Sequence, residues 1–481
     1  MIAAMRGAPA VEPLSWKCTP LAVAAAWPAH RPLVMLHSAR PHPRWGRWSV
    51  LSSPRATFRF GRKTTWTGSP PAGVGWGQLE LTHDPMVDLD TLMTATRLDY
   101  EAPANPAVPF LGGWIGYFSY DLGRRLEPTA QHNASAVNDR PWPVMELAWC
   151  PGALVYDNLH RRWFAVGDIP EAASLRGDGD DGDTFKVAAL RSNVEPDEYL
   201  AMVARTIDYI AAGDVFQANI THRLSASFAG STRALACRAL ALSGAWFGAY
   251  LELPQGRCIC SLSPELFLDV DFRTRAVVTR PIKGTRPSAT QRRELLDSAK
   301  DAAELHMIVD LMRNDLGRVC EYGSVHVPQA RMIETHPTVH HGVAEVTGSL
   351  RPEIRLADLL RATFPGGSVT GAPKIRAMQI IDELEPVRRG PYCGAIGFIS
   401  DCGRACLNVA IRTIALSGRR PRHAWDRLIG TLDYGTGGGI VADSNPQAEY
   451  RESLDKAEVL RMILRRRTAR LSLATDESNV L

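Results

Sequence analysis

Four acidic side chains, one lysine and two glycine-rich stretches are the parts of this chain that could do chemistry. Lys283 stands in Pro-Ile-Lys-Gly-Thr (281–285), after the run Ala276-Val277-Val278-Thr279 and just before Gly284. The β-branched run predicts a strand, and the glycine predicts its end and a turn. An amine on such a rigid strand end, once partly desolvated, has a lowered pKa and becomes a usable nucleophile. By itself a Lys-Gly pair reads as a surface lysine at a turn. The company Lys283 keeps along the chain argues for more.

Asp301 and Glu304 lie three apart on a helix expected over 292–316, and Leu305, Ile308 and Met312 continue their face. The two carboxylates therefore extend a stripe meant for burial, where ionised oxygens need a partner or a cation. A last helix begins at Pro446, with Asn445 as its N-cap. On it Glu449, Glu452 and Lys456 share a face beside the apolar stripe of Tyr450, Leu454, Ala457, Leu460 and Leu464. Four acidic groups on two helices suit Mg²⁺, which takes one or two carboxylates and leaves positions for an anionic substrate. The same spacing also fits two solvated charged faces with ordinary ion pairs such as Glu452–Lys456.

Phe364-Pro-Gly-Gly-Ser-Val-Thr-Gly-Ala-Pro-Lys374 resembles a phosphate cradle but lacks the Gly-Lys-Ser/Thr of a P-loop. Gly435-Thr-Gly-Gly-Gly-Ile440 begins like a dinucleotide turn and ends on isoleucine; its bare amides could bind a carboxylate. The run Gly177-Asp-Gly-Asp-Asp-Gly-Asp183 is no EF-hand, because the fifth position from Asp178 is Gly182 and the twelfth is Ala189.

The elements that must position these groups fall into two regions. Residues 13–170 alternate short apolar runs (Leu33–Leu36, Trp48–Leu51, Gly113–Tyr120, Gly152–Tyr156) with Gly and Pro, the mark of a β-rich segment. Residues 168–183, poor in large apolar side chains, read as a boundary loop. Residues 190–466 begin with a helix over 195–212, and strands follow at 247–253, 257–262, 266–270 and 276–280. Late strands are expected at 393–400, 405–416 and 430–434, and a disordered tail at 467–481.

Bulk properties narrow the function. The chain has 481 residues and a net charge of +4, too weak for nucleic acid or an anionic membrane to be the partner. Its nine cysteines include no CxxC, which argues against a zinc site or a disulfide framework and for a reducing, cytoplasmic setting. No apolar run reaches the ~18 residues of a membrane span, and Pro20–Ala26, preceded by Glu12, is a poor signal core.

Together these segments resemble the chorismate-utilising enzymes, and within them the aminodeoxychorismate synthase component I branch. The resemblance covers nearly the whole chain and is densest over about 195–465. It rests on Gly-Asp-Val-Phe-Gln-Ala-Asn (213–219), Ser-Pro-Glu (263–265), Arg-Pro-Ile-Lys-Gly-Thr (280–285) and Ile-Val-Asp-Leu-Met-Arg-Asn-Asp-Leu-Gly-Arg (308–318). His-Pro-Thr-Val-His-His (336–341), the 364–374 loop and Gly-Gly-Gly-Ile-Val-Ala-Asp-Ser (437–444) continue it in the family's order.

The resemblance implies an α+β fold: a large β-sandwich of antiparallel-rich sheets with helices packed outside. It also implies roles. Glu304 and Glu452 would ligate Mg²⁺, and Asp301 and Glu449 would act from behind them or through water. The amides of Gly437, Gly438 and Gly439, with Arg412 and Lys456, would hold substrate carboxylates. His341 and Thr370 would line the same pocket. Glu265 would be the general acid/base and Lys283 the covalent nucleophile. Anthranilate synthases carry alanine at the position of Lys283, and the isochorismate and salicylate enzymes carry a water-activating lysine where this chain has Gln217.

The implied reaction is Mg-dependent amination of chorismate at C4, on the route to p-aminobenzoate and folate. No Gly-x-Cys-x-Gly elbow is present, so ammonia is expected from a separate glutamine amidotransferase subunit. Leu33–Ser38 is similar to the family's tryptophan-pocket strand, but Ala39 replaces the glycine after the serine, so a buried edge strand is expected there. The competing readings are an anthranilate synthase large subunit and a catalytically dead amino-acid sensor on the same fold.

Overall fold

The computed structural model describes residues 9–465, apart from 62, 70–73, 76, 78, 97–106, 132–135, 170–183, 288–291 and 336–338. The expected boundary loop, for the most part, and the expected tail lie outside the described residues.

Seven strands carry the elements used below: β1 (Gln217–Ser231), β2 (Leu266–Asp271), β3 (Ala276–Arg280), β4 (Ile282–Pro287), β5 (Val339–Ser349), β6 (Thr413–Arg419) and β7 (Arg427–Ile440). Four helices matter equally: α1 (Pro196–Ala211), α2 (Ala299–Gly317), α3 (Lys374–Leu384) and α4 (Pro446–Lys456).

Two large sheets face each other. The first runs Val11–Leu14, Arg162–Val166, Ala153–Asp157, Trp48–Ser52, Val34–His37, Phe247–Leu253, Arg257–Ser263, β6, β7, β1, Phe185–Val187. The second runs β4, β5, β3, β2, Arg404–Val409, Ala395–Ser400, Gly113–Phe118, Met145–Cys150, Ala56–Phe60, Thr64–Gly68. The strand pairs along both paths are antiparallel, and each sheet takes strands from both ends of the chain. The joints are Val34–His37 against Phe247–Leu253 and Gly113–Phe118 against Ala395–Ser400.

Between the sheets, Val34, Val155, Leu251 and Ile259 of the first meet Ile115, Tyr117 and Ile396 of the second. Helices cover the outer faces. Tyr199 and Val203 of α1 and Ile380 and Ile381 of α3 pack on Ala218 and Ile220 of β1. Leu305, Ile308 and Met312 of α2 pack with Val277 and Val346 of the second sheet. Covering both faces explains why strands such as Arg257–Ser263 are buried along their whole length instead of alternating in and out. The architecture is the expected α+β sandwich with helices outside.

Several local expectations change. Val34–His37 is buried but interior, bonded to Trp48–Ser52 on one side and Phe247–Leu253 on the other, not an edge strand. The helix expected over 292–316 is two helices, Arg292–Asp297 and α2, because the Ser298 hydroxyl turns to accept from the Asp301 amide at 3.2 Å and caps α2. The strand expected over 405–416 divides into Arg404–Val409 and β6. The turn expected over 435–440 is instead the end of β7, held by β1 as far as Ala218↔Ile440. No helix among the described residues is long and apolar enough to cross a membrane. All nine cysteines are free thiols.

Candidate active site

Lys283 does not sit at a strand end; it lies inside β4 at a bulge. β4 pairs with β5 at Lys283↔Gly342 and then slips register to Thr285↔His341. The slip falls on Gly284, whose φ of 79° is left-handed and where an added Cβ would meet Leu295 and Asp301 within 3.0 Å. Only glycine serves there, and a bulge of this kind re-aims the neighbouring side chain. The lysine is directed into a cavity of about 220 Å³ between β4, β7, α2 and α4.

One wall of the cavity carries Lys283 and Glu265. Glu265 is 3% exposed, and burial pushes its carboxyl up to about 7, against the pull of the Ser368 hydroxyl and the Lys283 ammonium. Its backbone is fixed on both sides: its amide donates to the Ser263 hydroxyl oxygen at 3.1 Å, and its carbonyl accepts from the Val409 amide at 3.0 Å. Burial pushes the Lys283 amine down, and Glu304, Glu265 and Glu452 draw it back up. Its Nζ lies 3.5 Å from the Ser368 carbonyl. Desolvation thus moves the acid toward its protonated form and the amine toward its free base, the states a proton donor and a nucleophile require.

The helical wall carries the four carboxylates. On α2, Asp301 pairs with Arg286 at 2.8 Å, and Glu304 lies 3.9 Å from Lys300. On α4, Glu452 pairs with Lys456 at 2.8 Å, while Glu449 accepts from the Ser444 hydroxyl at 2.7 Å and lies 3.7 Å from Lys300. Burial pushes Glu304 up and Lys283 and Lys300 pull it back; Lys456 holds Glu452 low. α4 is placed by the expected cap, the Asn445 side chain accepting from the Ala448 amide at 3.0 Å. These four groups are the hard oxygen donors that could hold a cation. Among the described residues, no three Asp, Glu, His or Cys groups converge on one point as they stand.

The end of β7 forms the remaining wall. β6 pairs with β7 only up to Ile414↔Tyr434, whereas β1 stays bonded to Ile440. From 435 onward one edge of β7 is therefore without β6 beside it, and Gly435, Gly437 and Gly439 line the cavity there. Gly438 is not part of that lining; a Cβ there would lie 3.3 Å from Glu449 Oε2 and 3.5 Å from Lys456 Nζ of α4. Lys456 also donates to the Gly437 carbonyl at 2.9 Å.

Arg412 and His341 complete the lining. Arg412 holds a strained left-handed φ of 49°, and burial pushes its guanidinium down with only Tyr434 pulling it back. His341 Nδ1 lies 2.9 Å from the Thr285 hydroxyl. Thr370 is the exception among the expected residues. It does not reach the cavity; its hydroxyl donates to the Gly366 carbonyl at 3.0 Å and holds its own loop.

Two neighbours were given no role from sequence, although the resemblance had set Gln217 where related enzymes carry a water-activating lysine. Ser368, two residues before Thr370, lines the cavity beside Glu265. Gln217 is fully buried with both amide atoms lacking a hydrogen-bond partner, and a Cβ on Gly439 would lie 2.8 Å from its Nε2 and 2.9 Å from Lys283 Nζ. Its place in the 213–219 motif was the available signal.

Comparison with known proteins now adds to this geometry. The family model described as chorismate binding enzyme matches residues 38–462. The chain belongs to the chorismate-binding enzyme family. It is 38% identical over 448 residues to aminodeoxychorismate synthase component 1 of Klebsiella aerogenes, covering 88% of this chain and 91% of that one. It is 36% identical over 472 residues to the protein of the same name from Escherichia coli K12, covering 93% and 97%. The solved structure of anthranilate synthase component I from Streptococcus pneumoniae superposes with a TM-score of 0.71 at 27% identity, covering 89% of this chain and 93% of that one. This chorismate-binding enzyme therefore shares its sandwich with branches that differ in chemistry, and the residues in the cavity must decide between them.

Proposed function

We propose that this enzyme aminates chorismate at C4, giving 4-amino-4-deoxychorismate for p-aminobenzoate and folate synthesis, with Mg²⁺ and with ammonia from a separate glutamine amidotransferase. The observation that carries the reading is buried Glu265 and half-buried Lys283 facing one cavity with four carboxylates. The names of the relatives favour the same branch, and "component 1" supports a second subunit. Nine free cysteines suit a reducing cytoplasm.

The donor set fits a hard divalent ion: all oxygens, on two facing helices, with the Lys300 ammonium already standing between Glu304 and Glu449. Glu304 and Glu452 would hold Mg²⁺, with Asp301 and Glu449 behind them, and the bound ion would offset the charge of a substrate carboxylate. Arg412, Lys456 and the edge amides of β7 would bind the substrate's carboxylates. His341 would line the pocket beside them, and Thr370 would act by holding the loop that presents Ser368.

The Lys283 amine forms a bond to C2 of the ring. Both ring double bonds shift, C1=C2 to C1=C6 and C5=C6 to C4=C5, and the C4 hydroxyl leaves as water with the proton held by Glu265. Ammonia then adds at C4, the C2–N bond breaks and the lysine departs as the free amine. The new C4 ammonium returns a proton to Glu265. The sum is chorismate plus ammonia giving product plus water, and the enzyme is restored. Splitting one displacement in two is the benefit of covalent catalysis.

The test is chorismate with Mg²⁺ and ammonium, with and without an aminodeoxychorismate lyase. p-Aminobenzoate formed only with the lyase supports the reading. Fluorescent anthranilate formed without it would assign the chain to the anthranilate branch, and no consumption of chorismate would leave a sensor.

A further inference from the structure

Resting on the metal reading above, we propose that Lys300 is the displaceable counter-ion of the acidic helices, and that a divalent cation binds by expelling its ammonium.

Lys283 faces Glu304 from β4, and two further cations in the cluster are each committed to one carboxylate. Arg286 serves Asp301 at 2.8 Å. Lys456 serves Glu452 at 2.8 Å and also donates to the Gly437 carbonyl at 2.9 Å. Lys300 is placed differently. It stands in the first turn of α2, reaches Glu304 on its own helix at 3.9 Å, and reaches Glu449 on α4 at 3.7 Å. Among the described residues it supplies the ion pair that joins the two helices. Both distances are beyond hydrogen-bond reach, and the side chain is 50% exposed. Its long stem can therefore swing to solvent at little cost.

Glu449 cannot leave so easily: its side chain is 6% exposed and is tied to Ser444. A buried carboxylate needs a positive neighbour, and before metal arrives that neighbour is Lys300. This also accounts for the failure of three carboxylates to converge. Asp301 and Glu452 are each drawn to their own cation, and Glu304 and Glu449 are held on either side of an ammonium. Loading exchanges a single charge for a double one at the same place, so Lys300 sets the concentration of metal the site needs.

The experiment titrates the full-length protein with Mn²⁺ alone, read by the loss of the free-ion electron paramagnetic resonance signal, and with Mg²⁺ by calorimetry. Wild type is compared with K300M, K300R and E304Q, and K300Q replaces K300M if that variant does not fold. K300M should bind Mn²⁺ roughly two- to fivefold more tightly, the scale of losing one partly exposed charge pair. K300R should bind no more tightly than wild type. In metal-free buffer K300M should melt below wild type, and saturating Mg²⁺ should close the gap. If K300M binds as wild type does or more weakly, Lys300 is not the displaced ion, while the metal reading stands. If wild type and K300M bind no divalent ion, or binding ignores E304Q, the metal reading itself falls.

Discussion

On one wall of the cavity, burial pushes the Glu265 carboxyl up to about 7 and the half-buried Lys283 amine down, against the pull of their charged neighbours. On the facing wall, Asp301, Glu449 and Glu452 keep cations beside them, and Glu304 stands between the regimes, pushed up by burial and held back by Lys283 and Lys300. The difference lies in how charge is treated: the first wall weakens charge by burial, while the second keeps its carboxylates beside cations. A nucleophile and a proton donor are useful at neutral pH only in the first environment, and a cation site is possible only in the second.

The largest break in this contrast should come from Lys283→Ala. It should lower ammonia-dependent turnover by at least ~10³-fold and remove any covalent adduct seen by intact-protein mass spectrometry. Full turnover in this variant would end the nucleophile assignment. Glu265→Gln should cost about 10²–10³-fold. In the wild type, activity should fall as pH rises through about 7, where Glu265 gives up the proton it must donate, and the variant should lack that limb.

The same group leaves a stability signature. Its folded pKa, about 7, is raised above the ordinary 4.5, so the folded chain retains a proton that the unfolded chain releases. Stability from this group is full below pH 4.5, falls as pH climbs through the window from 4.5 to about 7, and stays lost above it. Denaturant titrations across that window should show a slope that Glu265→Gln flattens.

Gly439→Ala sharpens the comparison at the seam between the walls. The new methyl would sit 2.9 Å from Lys283 Nζ, so the amine must move. A displacement of that order should cost about 10²-fold in kcat or less, without loss of metal binding. Lys456→Met should have the smallest effect on folding. Its pair with Glu452 is partly exposed, so stability should change by less than about 1 kcal/mol while KM for chorismate rises.

Elements built from strong local patterns were legible in the sequence. Ala276–Arg280 and Phe247–Leu253 were read at their true limits, and α1 within one residue at each end, because β-branched runs and helical periodicity are local signals. The end of β7 was not. Glycine disfavours strands, and only the pairing with β1, more than two hundred residues away in sequence, overrides that preference. Position within the site followed the same division. The motifs brought Lys283, Glu265 and the four carboxylates onto one cavity and set Gln217 at a catalytic position of related enzymes, but not its meeting with Lys283 at Gly439, which needs β1 and β4 to converge there. Nor was the orientation of Thr370 visible, since its hydroxyl is claimed by a carbonyl four residues back.

The interleaving of the two sheets also sets a timetable for biosynthesis. Val34–His37 emerges early but has no Phe247–Leu253 to pair with until some two hundred more residues have been made. Gly113–Phe118 waits longer still for Ala395–Ser400. Until then the nascent chain carries open sheet edges, the surfaces most prone to pairing with a neighbour. Glu449 and Glu452 follow Lys283, Asp301 and Glu304 in the chain, so the pocket gains its second acidic arm only after the first has been made.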